Sequence, residues 1–402
     1  MPIPLLIMSD APTSPTGLGR VTRELALRIH RQMPAVFRVA TFGLSGTVSR
    51  NLPFMQYPIT LVDKWKTPEL PHVWKDWAGD EEGVILTIWN AAWLRWFAIP
   101  EEIVDPKYAE LREFLMNAKF RRWGYIPVDA EALDGALHDS QRPILERFDR
   151  ILAYTDFGAK VIEKTLAPKS ESDPQYKIEH LPHGTDKAIF YPRSRRSARA
   201  RFIREALKKP AVIASNIFLI GVVATNTMRK DWPLAFEVCK EIKRRGIKVG
   251  VWAHTDKLQK DWDLLYLCDH AGMSDAVMFS DSDLSDEHLA LGYAACNVTL
   301  GIGAGEGWGL PLAESLAMGI PCIHCDYAGG AEIVPESMRV KPIGWYYDGL
   351  YMNRRPILDP RDVADTIGMN QIISDIPASL LPAKYYWEEC WTEWADWLEA
   401  GL

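Results

Sequence analysis

Cysteine is scarce in this chain, and it is scattered. Six cysteines lie at positions 239, 268, 296, 322, 325 and 390 of 402 residues, which excludes a disulfide-stapled scaffold. Cys322 and Cys325 form a C-x-x-C around His324, but no second pair accompanies them. The run from Gly319 through Pro321 into these residues is apolar, so buried core cysteine is the better reading than a zinc or redox centre. Long apolar stretches are missing too. No run reaches the ~20 residues of a membrane-spanning helix. Met1 to Met8 is apolar, but it has no basic leader and stops at Ser9–Asp10, so it reads as a first strand and not as a signal peptide. The expectation is a cytoplasmic protein with no transmembrane segment. Basic excess is absent as well: 46 Lys and Arg against 53 Asp and Glu give a net charge of −7. That removes a general attraction to nucleic acid or anionic membrane, though not a local patch.

What is present suits a large globular enzyme. Hydrophobic residues make up 48% and charged residues 25% of the chain, enough for sizeable cores, and the length fits two domains. Short apolar runs alternate with helical stretches, the pattern of parallel α/β layers. In the first half, strands are expected at 4–9, 36–42, 84–89, 123–128, 151–154 and 178–181. A helix is expected over 18–31, with Leu18, Val21, Leu25 and Ile29 on one face. In the second half, strands are expected at 218–224, 248–253, 276–279, 297–300 and 320–324, and helices at 232–245, 285–294 and 310–318, the second capped by Ser285. The expected fold is therefore two Rossmann-like doubly wound domains, residues 1–187 and 188–383, facing across a cleft. Ligands of such sheets bind at the carboxyl ends of the strands.

Two segments stand apart. Arg193, Arg195, Arg196, Arg199, Arg201 and Arg204 crowd the region between Pro192 and Pro210. This reads as a linker with a short surface helix, a phosphate or nucleic-acid patch being the alternative. At the C-terminus Trp387, Trp391, Trp394 and Leu398 share a helical stripe. The expectation is a helix over 384–402 packed back on the first domain.

The chemistry concentrates in Gly301 to Gly319, GIGAGEGWGLPLAESLAMG. Alternate glycines let the backbone turn sharply and approach a ligand closely. Pro311 suits a first helical turn. The amides of Gly307, Trp308, Gly309 and Leu310 then open a helix N-terminus, a setting that stabilises anions and polar oxygens. Glu306 sits in the loop and Glu314 one turn into the helix, with seven residues between them. Carboxylates so placed can accept hydrogen bonds from vicinal hydroxyls.

The segment GEGWGLPLAESLAMGIPCI resembles the E-x7-E signature of the retaining GT-B glycosyltransferases (glycosyltransferase group 1, family 4-like), a family that includes sucrose synthase and bacterial mannosyltransferases. The resemblance extends over nearly the whole chain. Thr16 to Arg20 is similar to the family's N-terminal glycine loop, which places Gly17 and Gly19 near donor phosphates and acceptor. Leu181 to Pro192, LPHGTDKAIFYP, resembles its interdomain P-H-G-x-D…F-x-P. Ser285 to Leu300 resembles the helix and strand that precede the E-x7-E loop.

The resemblance implies transfer of a hexose-type sugar from a nucleotide-diphosphate sugar, such as a UDP- or GDP-sugar, to an acceptor, with retention and without a metal. It assigns Glu306 to the sugar hydroxyls, Glu314 to the nucleotide ribose, and Gly307, Trp308 and Gly309 to sugar or phosphate oxygens. The family usually neutralises the diphosphate with Arg, four residues, then Lys. Here Lys230 fits the Lys position, but Thr225 stands where the Arg is expected. Arg229 as substitute, or Lys230 with Asn226, are the two ways to supply the lost charge, and Arg is not simply exchangeable in such a role. His254, at the end of a strand, is a candidate donor contact. Trp89, Asn90 and Asp129, also at strand ends, are candidates for acceptor or sugar contact, as is His183, for which a structural hinge role or a donor contact is equally open. The short pairs Asp261-x-Asp263 and Asp281-x-Asp283 are too common to imply a metal.

Other readings remain in view. A glycosyltransferase of modified DNA bases is motivated by the arginine-rich linker, with nucleic acid as partner. A non-catalytic nucleotide-sugar-binding protein is motivated by Thr225. A nicotinamide dehydrogenase is opposed by the missing third glycine after the first strand.

Overall fold

The computed structural model describes residues 1–60, 66–170, 174–207, 217–280, 284–369 and 377–402. The chain divides into two compact units. The first holds Met1–Leu181, Tyr351–Asn353 and Trp391–Leu402, and the second holds Pro182–Leu350 and Arg354–Cys390.

The first unit is built on seven strands: β1 Ile3–Asp10, β2 Phe37–Leu44, β3 Met55–Pro58, β4 Gly83–Thr87, β5 Phe120–Ile126, β6 Arg150–Ala153 and β7 Glu179–His180. Every pairing is parallel, in the order β3-β2-β1-β4-β5-β6-β7. The interior of β1 and all of β4 are buried on both faces, which is why both read as unbroken apolar runs. The helix after β1, Gly17–Gln32, starts where Thr16 accepts a hydrogen bond from the Gly19 amide at 3.0 Å, a side-chain N-cap. It buries Val21, Leu25, Ala26 and Ile29. Strand order reverses between β1 and β4, so the loops that follow these two strands flank the switch point of the sheet.

The last helix, Trp387–Ala400, has its residues shared between the two units. Within the first unit Trp394 meets the Tyr125 ring edge-on at 4.8 Å, and Trp397 meets Trp123 at 5.3 Å. Arg150 donates to the Trp397 carbonyl at 2.5 Å. The tryptophan stripe is therefore core packing.

The second unit repeats the plan with six parallel strands: β8 Phe218–Val223, β9 Val249–His254, β10 Val277–Ser280, β11 Val298–Gly301, β12 Cys322–Cys325 and β13 Arg339–Val340. Their order is β10-β9-β8-β11-β12-β13. Here the switch falls between β8 and β11. A two-stranded ribbon follows, β14 Gly344–Asp348 and β15 Asn353–Ile357. Trp252 of β9 is fully buried against Phe202 and Tyr293. The indole takes the space beside Gly292, where a Cβ would strike it.

The sequence-level expectation of two doubly wound sheets is met. The short edge strands β3 and β13 and the ribbon β14–β15 were not anticipated. The arginine-rich segment forms a short helix, Arg195–Arg201, capped by Ser194. Its charges are largely engaged within the protein. Arg193 pairs with Glu287 at 2.7 Å, Arg199 donates to the carbonyl of Ala295 at 2.9 Å, and Arg201 and Arg204 pair with Glu205. Pro210, the far bracket of that segment, lies outside the described residues. No helix among the described residues is long and apolar enough to cross a membrane.

Candidate functional site

In the second unit the loops after β8 and β11 meet at the switch point. The loop after β8 is a short turn, Met228–Lys230, ended by Asp231 in the left-handed region at φ 43°. Asp tolerates that conformation better than most residues because its short polar side chain bonds locally. Asp231 uses it to cap the helix Trp232–Arg244 through the Leu234 amide at 3.3 Å. This sharp reversal leaves Arg229 and Lys230 beside the loop that follows β11.

Glu306 lies between these cations. Lys230 Nζ donates to its Oε1, and Arg229 Nη1 stands 3.3 Å from its Oε2. The Lys230 and Glu306 side chains are only 13% and 14% exposed. Burial by itself pushes the Glu306 carboxyl up. The Lys230 ammonium, then Arg229, outweigh it and hold the acid down to about 2, so Glu306 is a carboxylate at neutral pH.

The loop from Gly301 to Glu306 is tied down mainly through its carbonyls. His324 Nδ1 donates to Gly301 O, Arg355 Nη1 to Ala304 O at 3.0 Å, Arg229 Nη1 to Gly305 O at 2.9 Å, and the Gly330 amide to Glu306 O at 3.1 Å. The Ala304 amide in turn donates to Arg229 O at 2.6 Å. Beyond this clamped segment, among the described residues, no acceptor stands within hydrogen-bond reach of the amides of Gly307, Trp308, Gly309 and Leu310. Gly309 takes φ 95° at the start of the helix Leu310–Ala317, with Pro311 in its first turn. N–H groups without partners at a helix N-terminus are a setting that stabilises anions, and here they follow directly on the residue that meets both cations.

His324 is fully buried. A carbonyl only accepts, so Nδ1 must carry the proton. Burial holds the imidazole below its ordinary value, against the opposing pull of the Gly301 carbonyl and Glu306. The ring is neutral and structural. Gly330 packs so closely that a Cβ there would run into Nε2. Cys322 and Cys325 are buried and free, with thiols pushed up to about 12 by burial. They are core residues, as the apolar run suggested.

The remaining candidates fall in several places. Glu314 is 1% exposed within its helix. Trp308 is buried between the rings of His183 and Tyr385, each 5.0 Å away. His254 ends β9 and shares a 3.0 Å contact with Ser280 Oγ. Thr225 is exposed, and its carbonyl accepts from Trp232 Nε1. Asn226 is fully buried, and its amide is spent on the chain: Nδ2 donates to Lys257 O and Trp262 O, and Oδ1 accepts from the Trp262 amide. Asn226 thus shapes the 256–262 loop, and Arg229 is the group that stands beside Lys230. Asp261 accepts from the Met228 amide and Asp263 caps the helix Leu264–His270, so both act in local capping. Asp281 and Asp283 lie outside the described residues. Among the described residues no group of three or more His, Cys, Asp or Glu is placed to hold a metal ion.

Gly17, Gly19, Trp89, Asn90 and Asp129 belong to the first unit. The loops after β1 and β4 meet there through Asp10, which sequence reasoning passed over. Its carboxylate accepts from Thr16 Oγ1 at 2.5 Å and from Trp89 Nε1 at 3.3 Å. Asn90 caps the turn that follows, through the Ala92 amide at 2.9 Å. Gly19 is required by packing, since a Cβ would lie 2.6 Å from Ala11 O. Asp129, after β5, is half-buried. Arg355, His324 and Gly330 were also missed as site residues. Each acts on backbone, and no motif marks such contacts.

No family model and no curated protein matches the chain. Solved structures do. Anabaena HepE in complex with UDP and glucose matches with a TM-score of 0.68 at 12% identity, covering 99% of this chain and 100% of that one. Sucrose-phosphate synthase from Thermosynechococcus elongatus matches at 0.70 and 16%, covering 99% and 98%. A UDP-forming α,α-trehalose-phosphate synthase from Burkholderia xenovorans, in complex with glucose-6-phosphate, matches at 0.66 and 13%, covering 99% of each chain. The fold of this chain, two Rossmann-like parallel-sheet units, is that of GT-B glycosyltransferase structures.

Proposed function

We propose that the chain is a glycosyltransferase of the retaining type, moving a hexose from a nucleotide-diphosphate sugar to an acceptor without a metal. The observation that carries the reading is the anion site at the β8–β11 switch point: Lys230 and Arg229 beside Glu306, followed by four amides without acceptors. Neighbouring structures of the same fold were solved with UDP, glucose or glucose-6-phosphate bound, which supports a UDP-sugar as donor.

Cleaving the bond between sugar and phosphate builds positive charge on the anomeric carbon and negative charge on the departing diphosphate. Stabilising that leaving group is the largest task for the protein. Lys230, with Arg229 in place of the cation that Thr225 lacks, and the amides of Gly307 to Leu310 perform it. Glu306, held ionised, accepts hydrogen bonds from the sugar hydroxyls and favours the developing cationic sugar. The diphosphate brings its own negative charge to Lys230 and Arg229, so donor binding redistributes these cations between Glu306 and phosphate. Glu314 accepts from the ribose. The acceptor is deprotonated by the leaving phosphate on the same face, so no protein nucleophile is needed. Gly17, Gly19, Trp89, Asn90, Asp129 and His183 are proposed on the acceptor and sugar side, and His254 on the donor side.

The test is a screen of nucleotide release across UDP- and GDP-sugars. Turnover of at least one UDP-hexose is expected, with UDP affinity falling about tenfold or more in Glu314→Ala, the loss of roughly one charge-assisted hydrogen bond. No release from any donor, or equal UDP affinity in that variant, contradicts the enzyme and the ribose role respectively.

A further inference from the structure

We infer that Arg355 is a positioning residue for sugar transfer, holding the Ala304 carbonyl and thereby the register of the Glu306 loop against Lys230. The inference rests on the glycosyltransferase reading above. Arg355 lies on β15, far from the E-x7-E segment in sequence, and is 4% exposed. Two of its contacts bear on the loop. Nη1 donates to Ala304 O at 3.0 Å, and Nε donates to Asp348 Oδ2 of β14 at 3.0 Å.

Ala304 is the residue whose amide bonds to Arg229 O at 2.6 Å. It therefore ties the glycine loop to the cationic loop on one side and to Arg355 on the other. Gly305, with φ 113°, is the next residue and Glu306 follows it. A glycine in that conformation resists little, so the grip on Ala304 works together with those of Arg229 on Gly305 O and of Gly330 on Glu306 O in setting the direction of Glu306. A buried charge of this kind is costly unless each donor finds a partner. The backbone carbonyl is one of those partners, and the planar fork reaches it and Asp348 together in a way a single ammonium cannot. Displacing a catalytic carboxylate by about 1 Å is enough to cost on the order of a hundredfold in rate. Arg355 touches neither sugar nor nucleotide in this proposal and acts only through Ala304.

The experiment compares wild type with Arg355→Met, Arg355→Lys and Asp348→Asn in steady-state turnover of a UDP-hexose, reading kcat and donor KM separately. Asp348→Asn keeps the Ala304 contact and removes only the ribbon ion pair. The expected order of kcat is wild type and Asp348→Asn within threefold, Arg355→Lys about tenfold lower, and Arg355→Met about a hundredfold lower, with KM within threefold throughout. Arg355→Met turning over within threefold of wild type, or Asp348→Asn as impaired as Arg355→Met, overturns the inference. If Arg355→Met does not fold, Arg355→Lys decides: a kcat below that of Asp348→Asn supports it, and an equal or higher one overturns it. A wild type inactive with every nucleotide sugar sinks the parent reading and this inference with it. An active wild type beside an unimpaired Arg355→Met sinks the inference alone.

Discussion

Glu306 stays ionised against its burial because Lys230, and behind it Arg229, stand within ion-pair distance. That has a stability consequence with a definite sign. The folded value near 2 lies below the unfolded value of 4.5, so the stabilisation is complete above about pH 4.5 and is lost as pH falls towards 2. Its size is about 3 kcal/mol by linkage. Lys230→Met leaves the carboxylate buried with Arg229 alone. The Glu306 carboxyl, followed by 13C NMR, should then titrate well above its wild-type value. Unfolding in urea at pH 7 should show a loss of roughly 3 kcal/mol, and this difference from wild type should shrink at pH 3. An unchanged Glu306 titration in that variant contradicts the pairing. At this scale the sequence was partly legible. Glu306 and Lys230 were named from a motif with fixed spacing, and Arg229 as one of two ways to supply the charge that Thr225 lacks; the structure brings the three side chains together. Asp10, His324 and Arg355 did not, because their partners are backbone carbonyls or distant side chains that no local pattern names. Asn226 shows the converse: an amide beside a cation looked available for a ligand, yet the 256–262 loop consumes every group on it.

At the scale of elements, the strand–loop–helix unit around β11 depends on glycines for two different physical reasons. Gly309 holds a left-handed conformation at the helix start. Gly330 is needed for contact: its amide grips Glu306 O, and a Cβ would strike the His324 ring and lie 2.9 Å from Leu312 Cδ1. Gly330→Ala should cost about 1–3 kcal/mol through overpacking, read as a lower urea midpoint, and should depress turnover beyond the fraction that unfolds because the Glu306 carbonyl is released. Full stability and full turnover together contradict the clamp. The central strands were readable because burial on both faces forces unbroken apolar runs. The edges β3 and β13 were not, since two to four half-exposed residues carry no period. The ribbon β14–β15 escaped for the same reason, with Trp345, Tyr346 and Tyr347 left partly exposed in a strand with no alternation.

For the molecule as a whole, both sheets change direction at one point each, and the candidate residues gather there: Asp10 with Thr16 and Trp89 in the first unit, Lys230 with Glu306 in the second. Doubly wound sheets place ligands at such points, so the fold locates the site before any side chain is considered. Solved structures at 11–16% identity share the fold over almost the full length of the chain. The engaged arginines of residues 193–204 weigh against a nucleic-acid patch, and a non-catalytic binder is separated from an enzyme by turnover alone. The decisive measurement is therefore release of UDP from a UDP-hexose by wild type and by Glu306→Gln, with UDP affinity measured in parallel. A drop in kcat of about a hundredfold or more, with UDP affinity kept within a few-fold, is the predicted result. Equal turnover by the two proteins would contradict the assignment of Glu306 to the transferred sugar.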